Sequence, residues 1–142
     1  MLKTIVAAVD SSPRAQSVVD AATDLATRYQ ATVVLLRILA VPPEYPAAAA
    51  GHGDDLGSAI EQSARIALEA LARGRPDVTV APPVLFTGQP WRAILEEARR
   101  LSADLIVIGS HGYSGWDRIL GTTASKVADH ADRNVLVVHE RR

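Results

Sequence analysis

The chain has no cysteine, which excludes disulfides, thiolate nucleophiles and cysteine-ligated metals together. It is poor in aromatic residues, at 4%, so Val, Ile, Leu and Ala must fill the core. No charge sign dominates: 15 Lys and Arg stand against 16 Asp and Glu, for a net charge of −1. The signs are mixed along the chain, and the closing Arg141-Arg142 pair is too short for a basic tail, so no nucleic-acid partner is expected. No apolar run nears the roughly 20 residues that span a bilayer, and no membrane partner is expected. Met1-Leu2-Lys3-Thr4 leads straight into a strand-like run without the apolar region of a signal peptide. A cytoplasmic protein is the expectation. The histidines His52, His111, His130 and His139 show no paired ligand spacing, so a histidine metal site is not expected either.

What is present is a chain of 142 residues, 48% hydrophobic and 22% charged, long enough to bury a core as a single domain over residues 1–142. Apolar, β-branched runs alternate with helix-like segments. The strand candidates are Thr4–Asp10, Thr32–Leu39, Val78–Phe86, Asp104–Gly109 and Asn134–His139. Ile5–Val9, Val33–Leu36 and Leu105–Ile108 are continuously apolar, the pattern of parallel strands covered on both faces. Pro82-Pro83 cannot donate to a ladder, which places the third run at a sheet edge or with a bulge.

The first helix is capped by Ser12 and opened by Pro13. It turns Ala15, Val18, Val19, Ala22, Leu25, Ala26 and Tyr29 to one face. The second runs from Asp55 or Ser58 to Arg73, with Ile60, Ala64, Ala67, Leu68 and Leu71 inward and Gly74 as its stop. The third starts at Pro90 and presents Trp91, Ile94, Leu95, Ala98 and Leu101. The fourth follows Gly121, with Ala124, Val127, Ala128 and Ala131 on its buried side. Val41–Gly57, rich in Pro, Ala and Gly, is expected to be a surface loop, the alternative being a lid or partner-binding loop near the site. This alternation gives right-handed crossovers and a three-layer α/β/α sandwich. Ligands of such sheets bind beyond the strands' carboxyl ends, where the strand order reverses.

The segment Gly109-Ser110-His111-Gly112-Tyr113-Ser114-Gly115-Trp116-Asp117-Arg118-Ile119-Leu120-Gly121-Thr122-Thr123 lies between a buried strand and a helix. Glycines and hydroxyl residues there let backbone N–H groups approach a phosphate, and the helix start adds positive partial charge. The segment is no Walker loop, because no Gly-Lys-Ser/Thr ends it. Nor is it a dinucleotide fingerprint, whose glycines follow the first strand. A receiver domain is excluded too: it needs an acidic cluster after the first strand and a lysine after the fifth, where this chain has Asp10 and His139-Glu140.

Ile5-Val6-Ala7-Ala8-Val9-Asp10-Ser11-Ser12, Gly88-Gln89-Pro90, Ala103–Gly112 and Asn134-Val135-Leu136-Val137-Val138 together resemble the universal stress protein family, in its order and over essentially the whole chain. The resemblance implies an adenine nucleotide alpha hydrolase-like (Rossmann-like) fold, with a five-stranded parallel sheet in the order 3-2-1-4-5. It implies a homodimer through the last strand, Asn134–His139, and a division into members that bind ATP and members that bind no nucleotide. The ATP-binding pattern is G-x2-G-x9-G-(S/T). This chain has Gly109-x2-Gly112 and then eight residues before Gly121-Thr122, one short.

Carried over by position, Ala8 and Asp10 lie beside the nucleoside, and Ile38 lines the adenine pocket. Gly109, Ser110, His111, Gly112, Tyr113, Ser114 and Gly115 wrap the ribose and phosphates. Gly121 leads to the amides and hydroxyls of Thr122 and Thr123 and to the amide of Ala124. ATP is the implied ligand, with Mg²⁺ beside its phosphates. Without a P-loop lysine or an evident base, any hydrolysis is expected to be slow. The client protein of such a regulator is unknown.

Plainer roles stay open for several of these residues. Asp10-Ser11-Ser12 either binds the ligand or only caps a helix, and Gly112 and Gly115 either cradle phosphate or only make turns. His111 touches a phosphate or is solvated. Arg118, the only cation near the glycine segment, reaches a phosphate or faces solvent. Trp91 is expected to pack on a sheet edge or helix face, and His130 to be exposed. The alternative function is a dimeric interaction module of the same fold that binds no nucleotide.

Overall fold

Ile5, Val6 and Ala7 are completely buried, as a strand covered on both faces requires. They lie in β1 (Thr4–Ala8), at the centre of a parallel sheet. A computed structural model describes residues 1–41, 55–110 and 122–139, the side chains of residues 55, 56 and 122 excepted. After β1 come α1 (Ala15–Tyr29), β2 (Thr32–Leu36), β3 (Ile38–Val41), α2 (Asp55–Ala72), β4 (Val78–Val80) and β5 (Val84–Thr87). The chain closes with α3 (Pro90–Arg100), β6 (Leu105–Gly109), α4 (Thr122–His130) and β7 (Asn134–Val138). The main sheet has the order β4-β2-β1-β6-β7, all parallel. Numbered by the five apolar runs, that is the expected 3-2-1-4-5.

The second and third runs are each divided, and their distal halves, β3 and β5, pair as a separate two-stranded parallel sheet. The physical cause is a bulge. Leu35 faces Val80, but Ile38 faces Val84, so four steps of the third run answer three of the second. Pro82 and Pro83 occupy the extra length, and Ala81 and Val84 resume the ladder by donating to the carbonyls of Leu35 and Arg37, both at 3.0 Å. The proline pair therefore sits at an edge and also at a bulge.

Right-handed crossovers put α1 and α2 on one face and α3 and α4 on the other. Val18, Val19, Ala22 and Ala26 of α1 pack with Ile5, Ala7, Val33 and Leu35. Ile94, Leu95 and Ala98 of α3 pack with Val6, Ala8, Ile106 and Val127 on the other face. Glycine is required after α2, where Gly74 adopts φ +76°, so the expected stop is correct.

Several sequence expectations need correction. The first helix begins at Ala15 rather than Pro13, because the preceding residues form a separate hydrogen-bonded turn. Tyr29 is exposed, since it lies past the sheet's end, just before Gln30 turns the chain with φ +55°. Ile60 and Ala67 are exposed as well. Helix α2 docks through the narrow stripe of Ala64 and Leu68, with Leu71 half-buried behind them. Ala128 is exposed because α4 buries Ala124 and Val127, one turn's offset away. The strand run ends at Val138, leaving His139 exposed. The Val41–Gly57 loop is shorter than expected, since Val41 closes β3 and Asp55–Gly57 already belong to α2. Residues 42–54 lie outside the described residues. Among the described residues, no helix is long and apolar enough to cross a membrane.

Candidate functional site

Strand order reverses at β1: the chain leaves it towards β2 on one side and returns as β6 on the other. A cleft opens there, at the strands' carboxyl ends. Its floor is set by register. Leu36, Ala8 and Ile108 are direct partners across β2, β1 and β6. All three face the α3 side, where Ile38 and Ile94 join them. Ala8 is small and stands between two larger side chains, so the floor is an apolar trough whose lowest point is Ala8.

The rim is polar. The N–H of Val9 donates to Leu36 at 3.0 Å, adding a rung beyond β1 and fixing where Asp10 emerges. The Oδ1 of Asp10 accepts the N–H of Ser12 at 2.9 Å and its hydroxyl at 2.6 Å. Neither bond uses Oδ2. Ser12 in turn accepts the Arg14 N–H on Oγ at 3.3 Å and the Ala15 N–H on its carbonyl at 3.1 Å. Ser12 thus closes the turn into α1, whereas Asp10 holds Ser12 with one oxygen and lines the cleft. Asp10 therefore supports the turn before α1 rather than capping the helix itself, and it stands on the cleft wall. Thr123, in the first turn of α4, completes the rim.

Of the residues singled out in the sequence, Ala8, Asp10, Ile38, Gly109 and Thr123 are brought together in this cleft. Ser110 is not among its walls. It is 3% exposed, its N–H donates to Val138 at 2.9 Å, and its hydroxyl has no partner among the described residues. The Ala124 side chain is core, 1% exposed, and Ala124 is not among the cleft walls. Thr122 opens α4. His111, Gly112, Tyr113, Ser114, Gly115, Arg118 and Gly121 lie outside the described residues.

Gly109 also lies against α1. A Cβ there would meet Cγ2 of Val18 at 3.4 Å, at the limit of ordinary van der Waals contact, so the end of β6 packs directly on α1. The sequence reading missed Arg14, Val18, Leu36, Ile94 and Ile108, all of which line the cleft. Leu36 and Ile108 were findable as the residues level with Ala8 on its neighbouring strands.

Away from the cleft, the Trp91 ring lies against His130 with centroids 4.5 Å apart, and Arg92 sits 5.0 Å from its centre. Its indole N–H donates to Gln89. Trp91 is thus a packing residue between α3 and α4, and His130 is exposed, both as expected.

With this geometry in view, the relatives are informative. Residues 1–139 match the model of the universal stress protein family. The chain is 34% identical to universal stress protein A homolog 1 of Coxiella burnetii, over 96% of this chain and 95% of that one. Among solved structures it resembles the universal stress protein UspA from Lactobacillus plantarum, at 28% identity and TM-score 0.74, covering 96% of this chain and 97% of the other. A universal stress protein solved in complex with cAMP is 29% identical, with TM-score 0.64 and 97% of each chain covered. A family match over nearly the whole length, on a sheet of the expected order, settles the assignment: this chain belongs to the universal stress protein family.

Proposed function

We propose that the cleft binds an adenine nucleotide, ATP in the first instance, and that the protein is a nucleotide-responsive regulator rather than an efficient enzyme. One observation carries this reading: the Leu36–Ala8–Ile108 trough lies at the switch point of the sheet with Asp10 at its rim. A flat purine ring fits an apolar trough whose centre is an alanine. Ribose hydroxyls suit the uncommitted oxygen of Asp10, since a carboxylate accepts several hydrogen bonds. The phosphates would then extend towards Thr123 and the residues between Gly109 and Thr122. Mg²⁺ would be carried by the phosphate oxygens, because Asp10 is the only carboxylate among the described cleft residues. The cAMP complex of a relative supports an adenine ligand on this fold.

Hydrolysis, if any, is slow in this reading. No lysine stands in the glycine segment, and Asp10 already holds Ser12. Binding would act by changing the surface that a partner meets. The protein works as one domain, in the cytoplasm, as a homodimer. What supports the dimer is β7, which among the described residues pairs with β6 alone and leaves its other edge open, a hazard unless covered. Antiparallel pairing of two β7 strands about a twofold axis would cover that edge.

Thermal denaturation with ATP and Mg²⁺ tests the reading. A ligand at a hundred times its Kd stabilises the fold by about 2.7 kcal/mol, which raises Tm by several degrees. An unchanged Tm at millimolar ATP would favour the dimeric interaction module that binds no nucleotide.

A further inference from the structure

Arg14 lines the same cleft and is the only Lys or Arg among its described walls. It is half-buried and makes no ion pair among the described residues. Its Nε is shielded from solvent and has no hydrogen-bond acceptor among the described residues. A guanidinium donor in that state is costly to keep, because it has lost water and gained nothing in exchange. Its backbone is nevertheless pinned, through the bonds that run from Arg14 N–H to Ser12 Oγ and from Ser12 to Asp10. The sequence thus holds an unpaired cation on the cleft's rim, beside the one carboxylate that would repel an incoming anion.

We infer that Arg14 is the phosphate-selecting residue of this cleft: its guanidinium pairs with the ligand's phosphate oxygens and makes phosphorylated nucleosides bind more tightly than the bare nucleoside. The inference rests on the proposed adenine site and adds a residue that the glycine segment does not supply. An arginine pairs with phosphate through charge-assisted, frequently bidentate bonds. It offsets the Asp10 charge without a divalent ion, so part of the affinity persists when Mg²⁺ is removed. Such an ion pair is weakened by salt where it is exposed.

The test is isothermal titration of the full chain with adenosine, AMP and ATP in a chelator, repeated with the Arg14→Gln variant. The unmodified chain should bind AMP and ATP at least about tenfold more tightly than adenosine, one charge-assisted contact being worth that much or more. Arg14→Gln should abolish most of that preference and leave adenosine affinity within about twofold. Without ligand its Tm should not fall, because no partner of the guanidinium is orphaned. Equal affinities for adenosine and AMP in the unmodified chain would overturn the inference, even if the variant did not fold. So would a variant that keeps the preference, or one that loses adenosine and AMP alike. If the unmodified chain bound none of the three, the adenine site itself would fall, and this role of Arg14 with it.

Discussion

Asp104 accepts the backbone N–H groups of Lys3 at 2.8 Å and Thr4 at 3.0 Å, tying the start of β1 to the start of β6. The Thr4 and Lys3 N–H groups hold its carboxyl below the ordinary carboxylate range. Asp132 is lowered as well, chiefly by its bond to Arg133. A depressed folded-state value means that the stabilisation is present above the unfolded-state pKa and is lost as pH falls through the folded one. Stability should therefore fall on acidification below the ordinary carboxylate range. Asp104→Asn should flatten that limb in a plot of Tm against pH; an unchanged slope would show that the two bonds contribute nothing. Gly88 is constrained in another way, with φ +124° and a Cβ position 3.4 Å from the Phe86 ring. Gly88→Ala should lower stability by about 1–3 kcal/mol in urea denaturation. That glycine stood out in the sequence as part of Gly88-Gln89-Pro90, but its backbone angle did not. Arg14 escaped notice for a similar reason: what marks it is a missing partner, which spacing cannot reveal.

Among the elements, α2 is held to the sheet by few side chains, with Leu68 only 2% exposed. Leu68→Ala should cost about 2–5 kcal/mol, whereas Ile60→Ala, at an exposed site, should change little; equal costs would contradict this docking. Arg133 fastens α3 to the entrance of β7 by donating to the carbonyls of Ala98 at 3.0 Å and Ala103 at 2.8 Å. Arg133→Ala leaves both without that donor and should cost about 1–3 kcal/mol, read from urea denaturation; no loss would show that water replaces it. Element types were legible because continuous apolar runs and 3.6-residue stripes differ in period. The width of a buried stripe was not. Ala67 and Ala128 have the right spacing, yet tertiary packing leaves them outside because α2 and α4 bury only narrow faces. The division of the second run at Arg37 and of the third at Pro82-Pro83 was half legible: the prolines announced a break, but not the second small sheet beyond it.

For the whole molecule, strand alternation was enough to give a parallel layered α/β sheet, while the order of its strands, as observed, was implied by the family resemblance. That order in turn places the cleft at β1 and β6. The open edge of β7 is the feature that points outward. In sedimentation, the chain should run as a dimer, and a charge placed at Val137 or Val138 should yield monomer or insoluble protein. A soluble, unchanged dimer would remove β7 from the interface. The trough was less legible than the sheet, since it exists only when Leu36, Ala8 and Ile108 are brought level by register. Mapping ATP onto the backbone amide spectrum by nuclear magnetic resonance tests the site most directly. Saturable shifts concentrated at Ala8–Asp10, Arg14, Ile38 and Gly109–Ser110 are the expected result. No shifts at millimolar ATP, or shifts confined to residues away from this cleft, would contradict it.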